Sequence, residues 1–281
     1  MLLPRAILYG TIFALGCVVG SFLNVCIYRL PRDRSVVLPP SHCPRCGARL
    51  RAVDLVPLLS FLALGRKCRF CGGPIGWRYF IVEFITGAIF VAAWFACGED
   101  LLALPYWLFA SAIIAVVFTD LDHMIIPDGL VIAALAAAVL GEAISVASAQ
   151  TPLLSVQVPG TDLAVFRVVA GGVVGLVVFT GVRGFSQLLF RREGMGLGDV
   201  KLAGAIGAML GPGLALLSFG LAVATGAVLG VALIALRVRR RMEYLPFGPF
   251  LAATSLVALL AREQLVSSSR ALYDGWVGLF L

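Results

Sequence analysis

The sequence predicts an all-α polytopic membrane protein that crosses the bilayer about eight times, with one small polar insert between its first two helices. Three observations carry that expectation. Of the 281 residues, 60% are hydrophobic and 13% charged, and the mean hydropathy is +1.01, whereas a soluble domain is about 45–50% apolar and about 25% charged. The apolar residues are bunched into runs near the ~20 residues that span a bilayer as helix, instead of alternating as in a membrane barrel. Basic residues gather in three of the connecting loops, as in loops that face the cytoplasm. The same pattern accounts for the net charge of +7, which would point to nucleic acid only in a soluble chain; membrane lipids are the expected surroundings and no nucleic-acid partner is expected.

Taken in order, the apolar runs cover roughly residues 6–28, 79–97, 102–119, 129–147, 164–183, 200–216, 217–236 and 247–262. The first reads as a retained helix, because it is longer than a leader's apolar core and lacks a small-x-small cleavage pattern. The stretch from Ala133 to Ala138 suits helices that pack closely in lipid. Only Gly211-Pro212-Gly213 separates the sixth run from the seventh, and the turn is expected there or a little later. No internal repeat of the inverted-transporter kind is visible, and the tail from Ser267 to Leu281 is too short and interrupted for a ninth span.

Eight crossings put three basic loops on one side. The first holds Arg32, Arg34, Arg45, Arg49, Arg51, Arg66, Lys67 and Arg69, the second Arg183, Arg191 and Arg192, and the third Arg237, Arg239, Arg240 and Arg241. By the positive-inside rule that side is the cytoplasm, and both chain ends lie outside. The opposite loops agree, since Gly98-Glu99-Asp100 is acidic and Ser148 to Gly160 has no basic residue.

The insert contains Cys43-Pro44-Arg45-Cys46-Gly47 and Cys68-Arg69-Phe70-Cys71-Gly72. Two C-x-x-C knuckles about twenty residues apart present four thiolates, the donor set of a tetrahedral zinc site. Two disulfides are the competing reading, but thiols in the cytoplasm stay reduced. Four protein ligands leave no place for water, so Zn2+ here is expected to be structural, supplying folding free energy to an insert with little core of its own. Cys17, Cys26 and Cys97 stand alone in apolar runs and read as packing residues.

Two carboxylates remain to be explained. Asp199 lies in Gly194-Met195-Gly196-Leu197-Gly198-Asp199-Val200-Lys201, at the start of an apolar run, where an unpaired charge costs at least ~2.5 kcal/mol. Its partner is sought in Thr119-Asp120-Leu121-Asp122-His123, with Asp128 just beyond. Asp120 and Asp122 are about 200° apart around a helix, so both cannot face one partner; Asp120, the deeper, is preferred. Asp122 reads as solvated or structural, and Asp128, after Pro127, as a first-turn acid. A close pair of carboxylates shares a proton, so one can take a proton from water while the other donates one to a peptide carbonyl. Gly196 and Gly198 leave room beside Asp199 for an extended substrate. Lys201 either lowers a carboxylate's pKa or extends to the membrane surface.

In this order the motifs resemble the type IV prepilin peptidases, membrane aspartic proteases of the GxGD type. The resemblance rests on Gly20-Ser21-Phe22-Leu23-Asn24-Val25, Tyr28-Arg29-Leu30-Pro31, the two cysteine pairs, Arg78-Tyr79 with Glu83, Asp120 with Ile126-Pro127-Asp128, and the motif ending at Lys201. It implies Asp120 and Asp199 as the catalytic pair, Gly196, Gly198 and Lys201 as the active-site loop, and Cys43, Cys46, Cys68 and Cys71 as ligands of a zinc-type insert. It implies prepilin or pseudopilin substrates of a type IV pilus or type II secretion system, cut after Gly on the cytoplasmic side of the bacterial inner membrane. It also implies N-methylation of the new N-terminus with S-adenosylmethionine, although no Rossmann-type glycine fingerprint is present. The expected division is 1–29 for the first helix, 30–78 for the cytoplasmic insert and 79–281 for the peptidase domain. One departure is the spacing, for Asp120 and Asp199 are 79 positions apart, with an extra loop near 149–162 expected on the exterior. The alternative from another class is an ion-coupled transporter using the paired aspartates, which calls for charge near mid-membrane; a membrane scaffold that docks a partner through its zinc module would leave Asp199 unexplained.

Overall fold

The computed structural model describes residues 2–98, 100–147, 155–157, 164–190, 195–236, 246–262 and 264–265. Among them the helices are α1 (Leu2–Arg29), α2 (Leu59–Ala63), α3 (Trp77–Ala96), α4 (Ala103–His123), α5 (Asp128–Ala147), α6 (Arg167–Phe190), α7 (Leu197–Leu210), α8 (Pro212–Ala235) and α9 (Gly248–Leu260), with strands β1 (Ser155–Gln157) and β2 (Ala164–Phe166). Apart from α2, a single turn inside the insert, these are the eight expected apolar helices. Six of them, α1, α3, α4, α5, α6 and α8, are long and apolar enough to cross a membrane. Helices α7 and α9, of 14 and 13 residues, rise only ~20 Å against a hydrocarbon layer of ~30 Å.

The short α7 is surrounded by protein. Val200 and every residue from Leu202 to Leu210 are buried, and α5, α6, α8 and α9 all pack on it. Small residues allow the closest of these contacts. A Cβ added to Gly171 of α6 would lie 2.0 Å from the Gly207 carbonyl oxygen, and one on Gly175 would lie 2.1 Å from that of Ala203. Glycines four apart on α6 thus let two backbones meet, the device by which helices associate in lipid. The α1–α3 pair repeats it: Gly16 lies against Gly87, and Gly20 against the Cα of Glu83. The Ala133–Ala138 stretch serves similarly, with Ala134, Ala137 and Ala138 buried.

Two expected boundaries shift, and a third falls at the break the sequence marks. The sixth and seventh runs divide at Gly211, the earlier of the positions expected, because Gly211 takes φ +78 and Pro212 starts the next helix, where its missing N–H costs nothing. Residues 164–166, expected in the fifth helix, pair as β2 with β1, Val165 opposite Val156. The helix then begins at Arg167 and runs on to Phe190, which places Arg183 inside α6 and not in the loop after it. Glu99, the arginines at 191, 192, 237 and 239–241, Gly194, most of the 148–163 loop and the 267–281 tail lie outside the described residues.

Candidate active site and metal centre

Asp120 occupies the last turn of α4, before Met124 ends the helix in a left-handed conformation. It is buried, and its Oδ2 accepts the Gly248 N–H at 3.0 Å. Gly248 begins α9, so the carboxylate faces the amide end of a helix, where negative charge is favoured. Asp199 stands in the first turn of α7 and its Oδ2 accepts the Gly196 N–H at 3.2 Å, capping its own helix. Each acid is therefore anchored through one oxygen by a backbone amide, and Asp199 lies near enough for its charge to bear on Asp120.

The α4–α5 loop closes over this pair. A Cβ on Gly198 would stand 3.1 Å from Ile126 Cβ, and one on Gly248 would stand 3.4 Å from Ile126 Cδ1. Ile126 therefore occupies the room expected beside Gly198, and the main chain is left open only at Gly196, where a Cβ would make ordinary contact. On the α6 side, Arg183 donates to the Met195 carbonyl at 3.1 Å, holding the segment before Gly196.

The neighbouring charges divide by helix face. Asp122 pairs with Arg78, as a structural acid should. The Lys201 ammonium lies 2.8 and 3.0 Å from the two carboxylate oxygens of Asp128, in a pair half or more exposed. Positions 199 and 201 are about 200° apart on α7, so the lysine faces α5 and its first-turn acid instead of Asp199. Gly248 was missed altogether; its only local signal is a glycine before proline at the start of an apolar run.

In the insert, the Sγ atoms of Cys43, Cys46, Cys68 and Cys71 all lie within 4.8 Å of one another, and none is in a disulfide. A tetrahedron with Zn–S of about 2.3 Å has S···S edges of about 3.8 Å, so the donor set and spacing fit zinc. Two knuckles of one design build the cluster. The Cys43 N–H donates to Ala48 O and the Gly47 N–H to Cys43 O, while the Cys68 N–H donates to Gly73 O and the Gly72 N–H to Cys68 O, all at 2.8–2.9 Å. Gly47 and Gly72 take φ +71 and +66, a turn that glycine makes without strain. Within the four-thiol cluster the amides of Cys71 and Phe70 pull the Cys68 thiol down to about 7, while, against the Ala48 amide, burial and the other three sulfurs push Cys46 up to about 11, so the charge that the four thiols carry is centred on Cys68. The salt bridge from Arg69 to Asp54, 2.7 Å, ties the second knuckle to the chain between them and holds the Asp54 carboxyl below its usual range.

Two family models divide the chain. Residues 14–97 match the bacterial peptidase A24 N-terminal domain, and residues 107–231 match the type IV leader peptidase family. A prepilin leader peptidase/N-methyltransferase of Pseudomonas aeruginosa is 33% identical over 293 residues, covering 93% of each chain. One of Aeromonas hydrophila is 32% identical over 276 residues, 90% of each. One of Myxococcus xanthus is 38% identical over 200 residues, which cover 71% of this chain and 55% of that protein. No solved structure matches the chain.

Proposed function

Since the chain belongs to the type IV leader peptidase family, we infer that it is a membrane aspartic endopeptidase that removes the leader of prepilins or pseudopilins and methylates the new N-terminus. The observation that supports the cleavage half is that two carboxylates, each anchored by a backbone amide, come from α4 and α7 to either side of Ile126, near enough for the charge of Asp199 to bear on Asp120. In this reading Asp120 and Asp199 share one proton. The charged carboxylate takes a proton from water as its oxygen attacks the scissile carbonyl carbon. The neutral carboxyl gives its proton to the carbonyl oxygen. The resulting gem-diol collapses, the C–N bond breaks, and the departing nitrogen regains a proton, leaving a leader that ends in glycine and a mature chain with a free amine. Beside this pair Gly196 offers backbone to an extended substrate, Gly198 packs against Ile126, and Lys201 pairs with Asp128 at the edge of the site.

The methylation half calls for S-adenosylmethionine, which supplies an electrophilic methyl group on a sulfonium. Zinc on Cys43, Cys46, Cys68 and Cys71 is structural in this proposal, holding the insert in shape. The basic insert supports a cytoplasmic face for both insert and carboxylates in a bacterial inner membrane, and the division 1–29, 30–78 and 79–281 belongs to the same proposal. The substrate belongs to a type IV pilus or type II secretion system. An ion-coupled transporter draws no support, because both acids sit at helix ends and the matching proteins are peptidases.

The test is cleavage of a prepilin with a glycine–phenylalanine junction by the purified protein. Asp120→Asn and Asp199→Asn are each expected to lose at least about 10³-fold in kcat while folding normally. Wild-type cutting by either variant refutes the paired-carboxylate mechanism.

A further inference from the structure

A cavity of about 450 Å³ lies between the insert and the insert-side ends of α1 and α3, within the range of small-molecule sites, about 300–1,000 Å³. Its membrane-side walls are two helix faces. Ser21, Asn24, Val25 and Tyr28 line it from α1, and Gly76, Tyr79 and Glu83 line it from α3, spacings of three, four and seven that place each set on one stripe. The N-terminal motif from Gly20 to Arg29 thus points at this cavity, and the paired aspartates are not among its lining residues.

The polar groups on these walls are unusually committed. Asn24 is 3% exposed, and its amide donates to the carbonyls of Gly20 and Tyr79. Its Oδ1 is buried without a partner, an arrangement that is costly unless a ligand completes it. Glu83, 8% exposed, accepts the Leu58 N–H at 2.8 Å and a hydrogen bond from Ser21. Leu58 itself has φ 58 and ψ −49, with the Leu59 N–H donating to Pro57 O at 2.6 Å, a strained γ-turn held by a buried carboxylate. Such strain collects at ligand clamps.

A buried carboxylate, an unused amide oxygen and the rings of Tyr28, Tyr79 and Phe61 on one side, with the arginines Arg29, Arg45 and Arg69 in the rest of the lining, together describe a zwitterionic ligand that carries cationic groups, an anionic group and an aromatic ring. S-adenosylmethionine has all three, in its sulfonium and ammonium, its carboxylate and its adenine. We propose that this cavity is the S-adenosylmethionine site of the chain, with Asn24 Oδ1 and the Glu83 carboxylate facing the cationic methionine end. The inference rests on the methylation half of the function above, and it separates the two activities in space: transfer at the insert, cleavage at α4 and α7.

The experiment is calorimetric titration of the detergent-purified, zinc-loaded full chain with S-adenosylmethionine alone. One site per chain is expected for wild type, and Val25→Trp, which fills the cavity, raises Kd by about tenfold or more while zinc content and melting stay normal. Wild-type affinity in a folded Val25→Trp protein overturns the site but leaves the methylation reading standing. Absence of binding to wild type sinks both, and prepilin cleavage then decides the peptidase reading separately. A second measurement does not depend on that variant: ultraviolet cross-linking of methyl-tritiated S-adenosylmethionine to wild type. Label is expected on peptides spanning residues 21–29, 41–54 or 68–83, and label confined to α4–α9 overturns the proposal.

Discussion

Replacing Gly248 by alanine tests the carboxylate geometry without touching either acid. The backbone at 248 is ordinary helix, so alanine suits the conformation and even favours the helix. Its Cβ, however, would stand 2.6 Å from Asp120 Oδ2 and 3.2 Å from the carboxyl carbon, so the carboxylate must swing away and lose the Gly248 N–H. A hydrogen bond to a charged group contributes about 1.5–3 kcal/mol, and at about 1.36 kcal/mol per tenfold in rate that is roughly 10–150-fold. Misplacing a reacting group by about 1 Å costs a similar ~10²-fold. The expected outcome is therefore a kcat for prepilin cleavage lowered by about 10²-fold with KM little changed. Melting should stay normal, and S-adenosylmethionine binding intact. Gly226→Ala, whose Cβ meets Phe250 only at ordinary contact distance, serves as the control. Combining Gly248→Ala with Asp120→Asn should cost no more than Asp120→Asn alone, because both act through one carboxylate. Wild-type kcat in Gly248→Ala, or full additivity in the double variant, refutes the claim that α9 positions Asp120.

Gly207→Ala would drive a Cβ to 2.1 Å from the Gly171 carbonyl oxygen, so the α6–α7 pair must separate; loss of folded yield or a melting drop beyond about 3 kcal/mol is expected by thermal unfolding in detergent. Cys71→Ser should reduce bound zinc from one equivalent to well below it by elemental analysis and lower the melting of the insert, since a structural metal contributes folding free energy. Lys201→Met breaks an exposed pair with Asp128, worth about 0.2–1 kcal/mol; melting should fall by no more than that and the pH profile of cleavage should stay in place. A shift of that profile by a full pH unit would mean that Lys201 acts on the carboxylates after all.

The readable part of this chain was the part governed by spacing. Four cysteines in two knuckles foretold a cluster because a metal requires four donors at fixed distances, and the cluster is assembled with the same backbone bonds in each arm. The helix period separates Asp120 from Asp122 and depth in the apolar run favours Asp120, and the two do differ, one buried and the other paired with Arg78. The same period argument, applied to positions 199 and 201, would have sent Lys201 toward another helix. What remained hidden depended on long-range packing. Gly248 is 128 residues from the carboxylate it holds, and no local pattern connects them. The pairing of β1 with β2 turns on local torsions that hydropathy alone does not register.

The bond from Gly248 to Asp120 also orders events in the life of the molecule. Helix α4 is synthesised early, yet its acid is clamped only when α9 arrives, 128 residues later. At about 5–20 residues per second the growing chain spends roughly 6–25 s with Asp120 in hand and its clamp not yet made. On the proposed mechanism the site is therefore completed last, and a chain that stops short of α9 is expected to keep the four cysteines of the insert while lacking the amide that holds Asp120.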